Sequence, residues 1–338
     1  MNPRRHRPAP LLALLLAALA LPIGSAQVPT EPVELELTGS IRQARDPVVM
    51  EHDGRYYLYT TGHGIPIRCS DDLRHWQGCG LVFFGLPSWA RDHVAGATAV
   101  WAPDISFFAG RYHLYFSIST FGSNVSAIGL ATNATLDPDD PAYAWVDEGI
   151  VIASHAGDDW NAIDPNLVVT PEGETWLTFG SFWSGIKLVR IDAATGKLAE
   201  GDDALHALAA RHVPPRAVEA PFIVHRDGFY YLFVSFDQCC QGVESTYNIR
   251  VGRAPLVTGP YVDRDGVAML DGGGTLVVGP SERWPGSGHN AILRTGGQDL
   301  LVYHGYDATF GGAATLRIEV LGWDDDGWPW SVNGPPRP

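Results

Sequence analysis

Four acids and one histidine recur at matching places along this chain. Asp46, Asp104, Asp164 and Glu219 lie next to a proline, or one residue away from it, in RDPVV, WAPDI, IDPNL and EAPFI. His289 occupies the corresponding place in GHNAI. Carboxyls gathered in one pocket repel one another when ionised, so some keep a proton to higher pH than usual. One carboxylate beside one neutral carboxylic acid can carry out glycoside hydrolysis: the acid protonates the leaving oxygen and the base activates a water. Taken singly, an Asp before Pro often only starts a turn. Recurrence at one station in five copies favours a site over five unrelated turns.

The elements that must position these residues repeat with them. Each stretch is followed by a turn glycine and then an aromatic-rich apolar run, as in DGRYYLY, DGFYYLF and GGQDLLVY. The turn glycines fall at 54, 110, 173, 228 and 297. Each unit is long enough for about four short strands, the content of one propeller blade. Single small sheets cannot bury their faces, but radial stacking covers each with its neighbour. The reading is therefore all-β, a five-bladed β-propeller over residues 35–332. A sandwich or solenoid fits the long, unequal intervals less well. The first strands of the blades line the channel in one sense, so Asp46, Asp104, Asp164, Glu219 and His289 are expected as a ring at one end. The apolar run 315–321 with Trp323, Trp328 and Trp330 is expected to finish the fifth blade. Trp101, Phe121, Phe182 and Trp183 lie near the heads, where flat rings can stack on a sugar. Most of the 11 Trp fill space between blades, but Ser181-Phe182-Trp183-Ser184 reads as a loop.

Residues 1–26 read as a secretory signal peptide. Arg4, Arg5 and Arg7 precede an apolar run from Leu11 to Leu21, and Gly24-Ser25-Ala26 offers small residues for cleavage. The run is too short to span a bilayer, which takes about 20 residues. The formal charge of −15 becomes more negative without those arginines. Nucleic acid and anionic membrane are thus poor partners, and a neutral ligand is easier to accept. A monomer is the default. Cys69 and Cys79 flank a turn-rich loop and could pair, as export permits. Vicinal Cys239 and Cys240 could form a ring or stay as thiols. Their spacing is not that of a zinc site.

Taken together, RDPVV, WAPDI, NAIDPN, FGSFWSGI, VEAPFI and the run CCQGVESTY resemble glycoside hydrolase family 43, specifically its endo-1,5-α-L-arabinanases. The resemblance covers residues 38–330. It implies an inverting hydrolase acting on arabinan, with Asp46 as general base, Glu219 as general acid, and Asp164 raising the acid's pKa and orienting it. It implies sugar contacts at Gly122, Asn161, Ala162, Ile163, Ser181, Phe182 and Trp183, to which the reading of the aromatics adds Trp101. It implies calcium in the channel, facing His289 mostly through water. That family usually places His before the base, where this chain has Arg45. A fixed positive charge there favours the ionised form of Asp46. Exo action, another furanosidase or xylosidase activity on the same fold, and a sugar-binding propeller without catalysis are the rival readings.

Overall fold

The computed structural model describes Met1 and residues 31–336. The segment read as a signal peptide falls outside the described residues. The rest is a five-bladed β-propeller. Blade 1 is built from Val48–His52, Arg55–Tyr59, Pro66–Ser70 and His75–Leu81, and blade 2 from Trp101–Phe108, Arg111–Ile118, Ser126–Asn133 and Val146–Ser154. Blade 3 runs Asn166–Val169, Thr175–Phe179 and Ile186–Asp192. Its outer place is divided between Lys197–Leu198 and His206–Ala209. Blade 4 is Val218–Arg226, Phe229–Phe236, Asn248–Ala254 and Thr275–Val278. Blade 5 has three strands from its own repeat, Ser287–Thr295, Gln298–Asp307 and Ala313–Val320.

Side chains alternate across a strand, so a strand packed between two blades must be apolar on both faces. The second strand of blade 4 shows this. Its Leu232 and Val234 pack with Leu188 of blade 3, while Tyr231 and Phe233 pack with Leu301 and Tyr303 of blade 5. Five apolar clusters fill the five interfaces in this manner, each drawing on two adjoining blades. This is why the aromatic runs after the turn glycines looked alike in sequence.

The fifth blade is not finished as expected. Trp323 and Trp330 lie on a separate two-stranded hairpin, Gly322–Trp323 with Pro329–Trp330. The outer place is taken by the start of the described chain. The Leu35 amide donates to the Ile318 carbonyl at 2.8 Å, and the Val320 amide to the Val33 carbonyl at 2.9 Å. The chain then crosses to blade 1, where Thr38–Gly39 pairs in parallel with His75–Leu81. The ring is thus closed by a segment contributed from the opposite end of the domain, which covers the outer edge of blade 5. The Cys69–Cys79 disulfide ties two neighbouring strands of blade 1, and Cys239 is bonded to Cys240 in the loop after the second strand of blade 4.

A forked ion pair pins this closure. Both carboxylate oxygens of Glu34 accept from the buried Arg317 guanidinium at 2.7 Å. Burial pushes the Glu34 pKa up, but Arg317 and Asn333 more than offset it and hold the carboxyl below its ordinary value. A depressed acid stabilises the fold above its unfolded pKa, and that contribution is lost as pH falls through the folded value. Glu34→Gln leaves Arg317 buried without its counter-charge, and we expect a loss of about 1–3 kcal/mol, since Glu34 is itself partly exposed. Thermal unfolding at neutral pH checks this, and the difference should shrink in acid.

Candidate active site

All five blade heads share one backbone device. Two residues bulge from the first strand where the partner strand supplies one, so Ala102-Pro103, Ala220-Pro221 and His289-Asn290 interrupt the ladders of blades 2, 4 and 5. Asp46-Pro47 and Asp164-Pro165 bulge likewise, between the Thr61 amide bonded to the Arg45 carbonyl (3.1 Å) and the Val48–Tyr59 pair, and between the Gly180 amide bonded to the Ile163 carbonyl (2.8 Å) and the Asn166–Thr178 pair. The first bulged residue is left-handed in every blade: φ is 53° at Asp46, 44° at Ala102, 57° at Asp164, 53° at Ala220 and 51° at His289. Such a conformation costs a non-glycine residue roughly 1–2 kcal/mol. Bulges re-aim side chains and recur beside active sites. Proline suits the second place, where no ladder amide is needed.

Each left-handed amide is satisfied by the preceding blade. Ala102 N donates to Thr61 Oγ1 at 2.7 Å, Asp164 N to Ser117 Oγ at 2.9 Å, and His289 N to Ser235 Oγ at 2.8 Å. Asp46 N closes the circle on His304 Nδ1 of blade 5 at 3.2 Å. In blade 3 the acceptor position is Gly180, where a Cβ would meet the Gly185 carbonyl at 2.6 Å. Asp164 therefore supplies the acceptor itself, its Oδ2 taking the Ala220 amide at 3.1 Å.

The device turns one or two residues per blade toward one pit of about 560 Å³. Arg45 and Asp46, Trp101, Ile163 and Asp164, Glu219, and His289 line it. The expected ring is thus corrected. Asp46, Asp164 and His289 occupy the bulge position, Glu219 the position before it. Asp104 stands two residues beyond it and does not line the pit. Its carboxylate accepts from Leu167 N at 2.8 Å and Asn166 Nδ2 at 3.2 Å, bracing blade 2 against blade 3. Burial pushes its pKa up to about 7 despite these bonds.

The three carboxyls of the pit have different environments. Asp46 accepts from the Thr61 hydroxyl and lies 3.2 Å from His289 Nδ1. Burial pushes its pKa up, but His289, His304, Thr61 and Arg45 outweigh burial and hold it below the ordinary value. Burial itself keeps both histidines toward the neutral form, His304 with a pKa of about 4. Glu219 accepts from Ser181 Oγ and from Tyr247 Oη, each at 2.8 Å. Burial and the Asp46 charge still raise its pKa. Asp164 is raised well above its ordinary value, by burial first and then by the charges of Glu219 and Asp46. The pit therefore sets one carboxyl held below its ordinary pKa, on blade 1, against two pushed above theirs, on blades 3 and 4.

Of the expected sugar contacts, Trp101, Gly122, Asn161, Ile163, Ser181, Phe182 and Trp183 all line the pit. Phe182 and Trp183 sit in a tight loop with φ of 55° and 42°. Among the described residues Asn161 Oδ1 is buried with no partner. Ala162 does not line the pit; it is fully buried in the apolar cluster between blades 2 and 3, its amide donating to Ser154 Oγ at 2.8 Å. Sequence reasoning missed Thr61 and Tyr247, and it gave Cys239 and Cys240 no place in the wall they help form. A signal for the first existed. Thr61, Ser117, Ser235 and His304 each follow their blade's bulge residue by fifteen positions.

A propeller that gathers three carboxyls with opposed pKa shifts at one mouth of its channel has the equipment of a glycoside hydrolase. Residues 40–329 match the model of glycosyl hydrolases family 43, and the chain belongs to that family. It is 39% identical over 94% of its length to the extracellular exo-α-(1→5)-L-arabinofuranosidase of Cellvibrio japonicus, 90% of which is covered. It is also 39% identical to the extracellular endo-α-(1→5)-L-arabinanase 1 of Bacillus subtilis, over 94% of this chain and 96% of that one. Among solved structures, the Cellvibrio cellulosa α-L-arabinanase complexed with arabinohexaose superposes with a TM-score of 0.82 at 40% identity, covering 86% of this chain and 96% of the other.

Ser235→Ala removes the acceptor for the His289 amide and leaves a buried donor unpaired. We expect it to cost about 1–3 kcal/mol of stability, read by denaturant unfolding, whereas an exposed serine such as Ser88 should tolerate the same change.

Proposed function

We propose that this protein is a secreted arabinan hydrolase that cleaves internal α-1,5 bonds with inversion. What carries the reading is one aromatic-walled pit that holds Asp46 and Glu219 together and shifts their pKa values in opposite directions. Asp46 acts as general base on water. Glu219 keeps its proton for the leaving oxygen, with Ser181 and Tyr247 fixing the carboxyl's orientation. Asp164 orients the acid, its Oδ2 holding the amide of Ala220, the residue after Glu219, at 3.1 Å. An inverting pair leaves room for a water, with carboxyls about 6.5–9.5 Å apart. Trp101, Phe182 and Trp183 offer ring faces to furanose units, and Gly122, Asn161, Ile163 and Ser181 complete the subsites. Export is supported by the extracellular relatives and by the leader-like residues 1–26; among the described residues no helix is long and apolar enough to cross a membrane.

Exo action is the second reading, favoured by the Cellvibrio japonicus relative. Linear arabinan separates the two. Mixed oligomers early in the digest indicate endo cleavage, and a single small product from the start indicates exo. Glu219→Ala should lower the rate about 10²–10⁴-fold, and the first product seen by proton NMR should be the β-anomer. An unimpaired Glu219→Ala, or a first-formed α-anomer, would contradict these roles.

Calcium is proposed at His289. Among the described residues no group of three or more His, Cys, Asp or Glu is placed to bind a metal. The surroundings fit an ion held largely through water. His289 turns Nδ1 to Asp46, leaving Nε2, and the neighbouring Asn290 amide is buried with both polar atoms unpartnered. An amide oxygen is a ligand type calcium accepts. A bound ion would add positive charge that favours ionised Asp46. Added calcium should raise the melting temperature of chelator-treated protein, and His289→Ala should abolish that rise.

A further inference from the structure

Beside the pit, and continuous with it through Arg45, Thr61, Trp101 and Phe121, runs a groove of about 660 Å³ between blades 1 and 2. That volume is within the range of small-ligand sites. Its lining contains two arginines, Arg45 and Arg68, and no Asp or Glu. In a chain of formal charge −15 this is a local reversal of sign. Arg68 is buried to 9% exposure, and its guanidinium donates only to neutral acceptors, Thr60 Oγ1 and the carbonyls of Arg42 and Gln43. Among the described residues neither arginine has an ion-pair partner, and Arg45 Nε is buried with no acceptor. A buried guanidinium such as that of Arg68, which no carboxylate contacts, is costly unless something else supplies the anion, whereas the half-buried Arg45 has the Asp46 charge nearby. The exposed Phe121 ring, 4.9 Å from Trp101, forms the wall shared with the pit.

We propose that this groove is an anion subsite, and that its occupant is a uronate carboxylate carried on a sugar branch of the chain being cleaved. The inference rests on the sugar-hydrolase reading of the adjoining pit. A planar carboxylate accepts two parallel bonds from a guanidinium fork, and a substituent entering from the pit reaches Arg45 first. Arg45 is then a specificity residue: its free donors select the charge of the branch.

The test compares uronate-bearing arabinan before and after methyl esterification, at low salt, for wild type, Arg45→Gln and Arg45→Lys. Wild type should show a KM about tenfold lower on the acidic form. Added salt should erode the difference. Arg45→Gln should abolish it whatever its effect on kcat, and Arg45→Lys should keep part of it. Equal KM for the two forms with wild type overturns the proposal, as does a preference that survives Arg45→Gln. Free galacturonic acid and inorganic phosphate serve as calorimetric probes. Arg45-dependent binding of either, without a preference on the polymer, overturns assignment to a substrate branch. Hydrolysis of neutral linear arabinan is followed in parallel; its absence would refute the hydrolase reading itself.

Discussion

A non-glycine residue in the left-handed region at the channel end of every blade is the constraint on which this molecule depends. It arises because each first strand bulges at its head, and it persists because the previous blade accepts a hydrogen bond from its amide. The bond joins neighbouring blades at the axis, as the apolar clusters join them further out. It also aims side chains inward. The positions that hold the ring together are therefore the positions that fill the pit, and Asp164 does both, lining the pit and capping Ala220.

Once three carboxyls are gathered there, their protonation is decided by local partners. Asp164 and Glu219 are buried and Asp46 is half-buried, and burial alone would push each toward the neutral form. Asp46 escapes because a hydroxyl, two imidazoles and Arg45 surround it. Glu219 also has two hydrogen-bond donors, yet burial and the Asp46 charge outweigh them. Ionisation of the first carboxyl thus helps keep the proton on the others, which is how one pit can present an acid and a base at the same pH.

Much of this was legible in the chain because the blades repeat. Turn glycines and aromatic runs recur, so five blades could be counted, and the proline doublets marked their heads. Asp46, Asp164, Glu219 and His289 were visible for that reason. Asp104 was misplaced because sequence shows proximity to proline but not the bulge, and two residues along a strand take a carboxyl from the pit into an interface. The fifteen-residue offset to Thr61 and its counterparts is present in the sequence but has no meaning without the ladder that pairs them. The closing segment at 33–35 was hidden because it is short and far in sequence from its partner. The state of Cys239 and Cys240 could not be decided by spacing, since adjacent thiols permit either outcome.

The most direct test is a titration of the carboxyl carbons of Asp46, Asp164 and Glu219 by ¹³C NMR, each assigned by substitution to Asn or Gln. The account predicts that Asp46 ionises below the ordinary aspartate value, that Glu219 and Asp164 hold protons above theirs, and that removing the Asp46 charge lowers both. Three carboxyls titrating together near about 4, the value of unperturbed side chains, would contradict it.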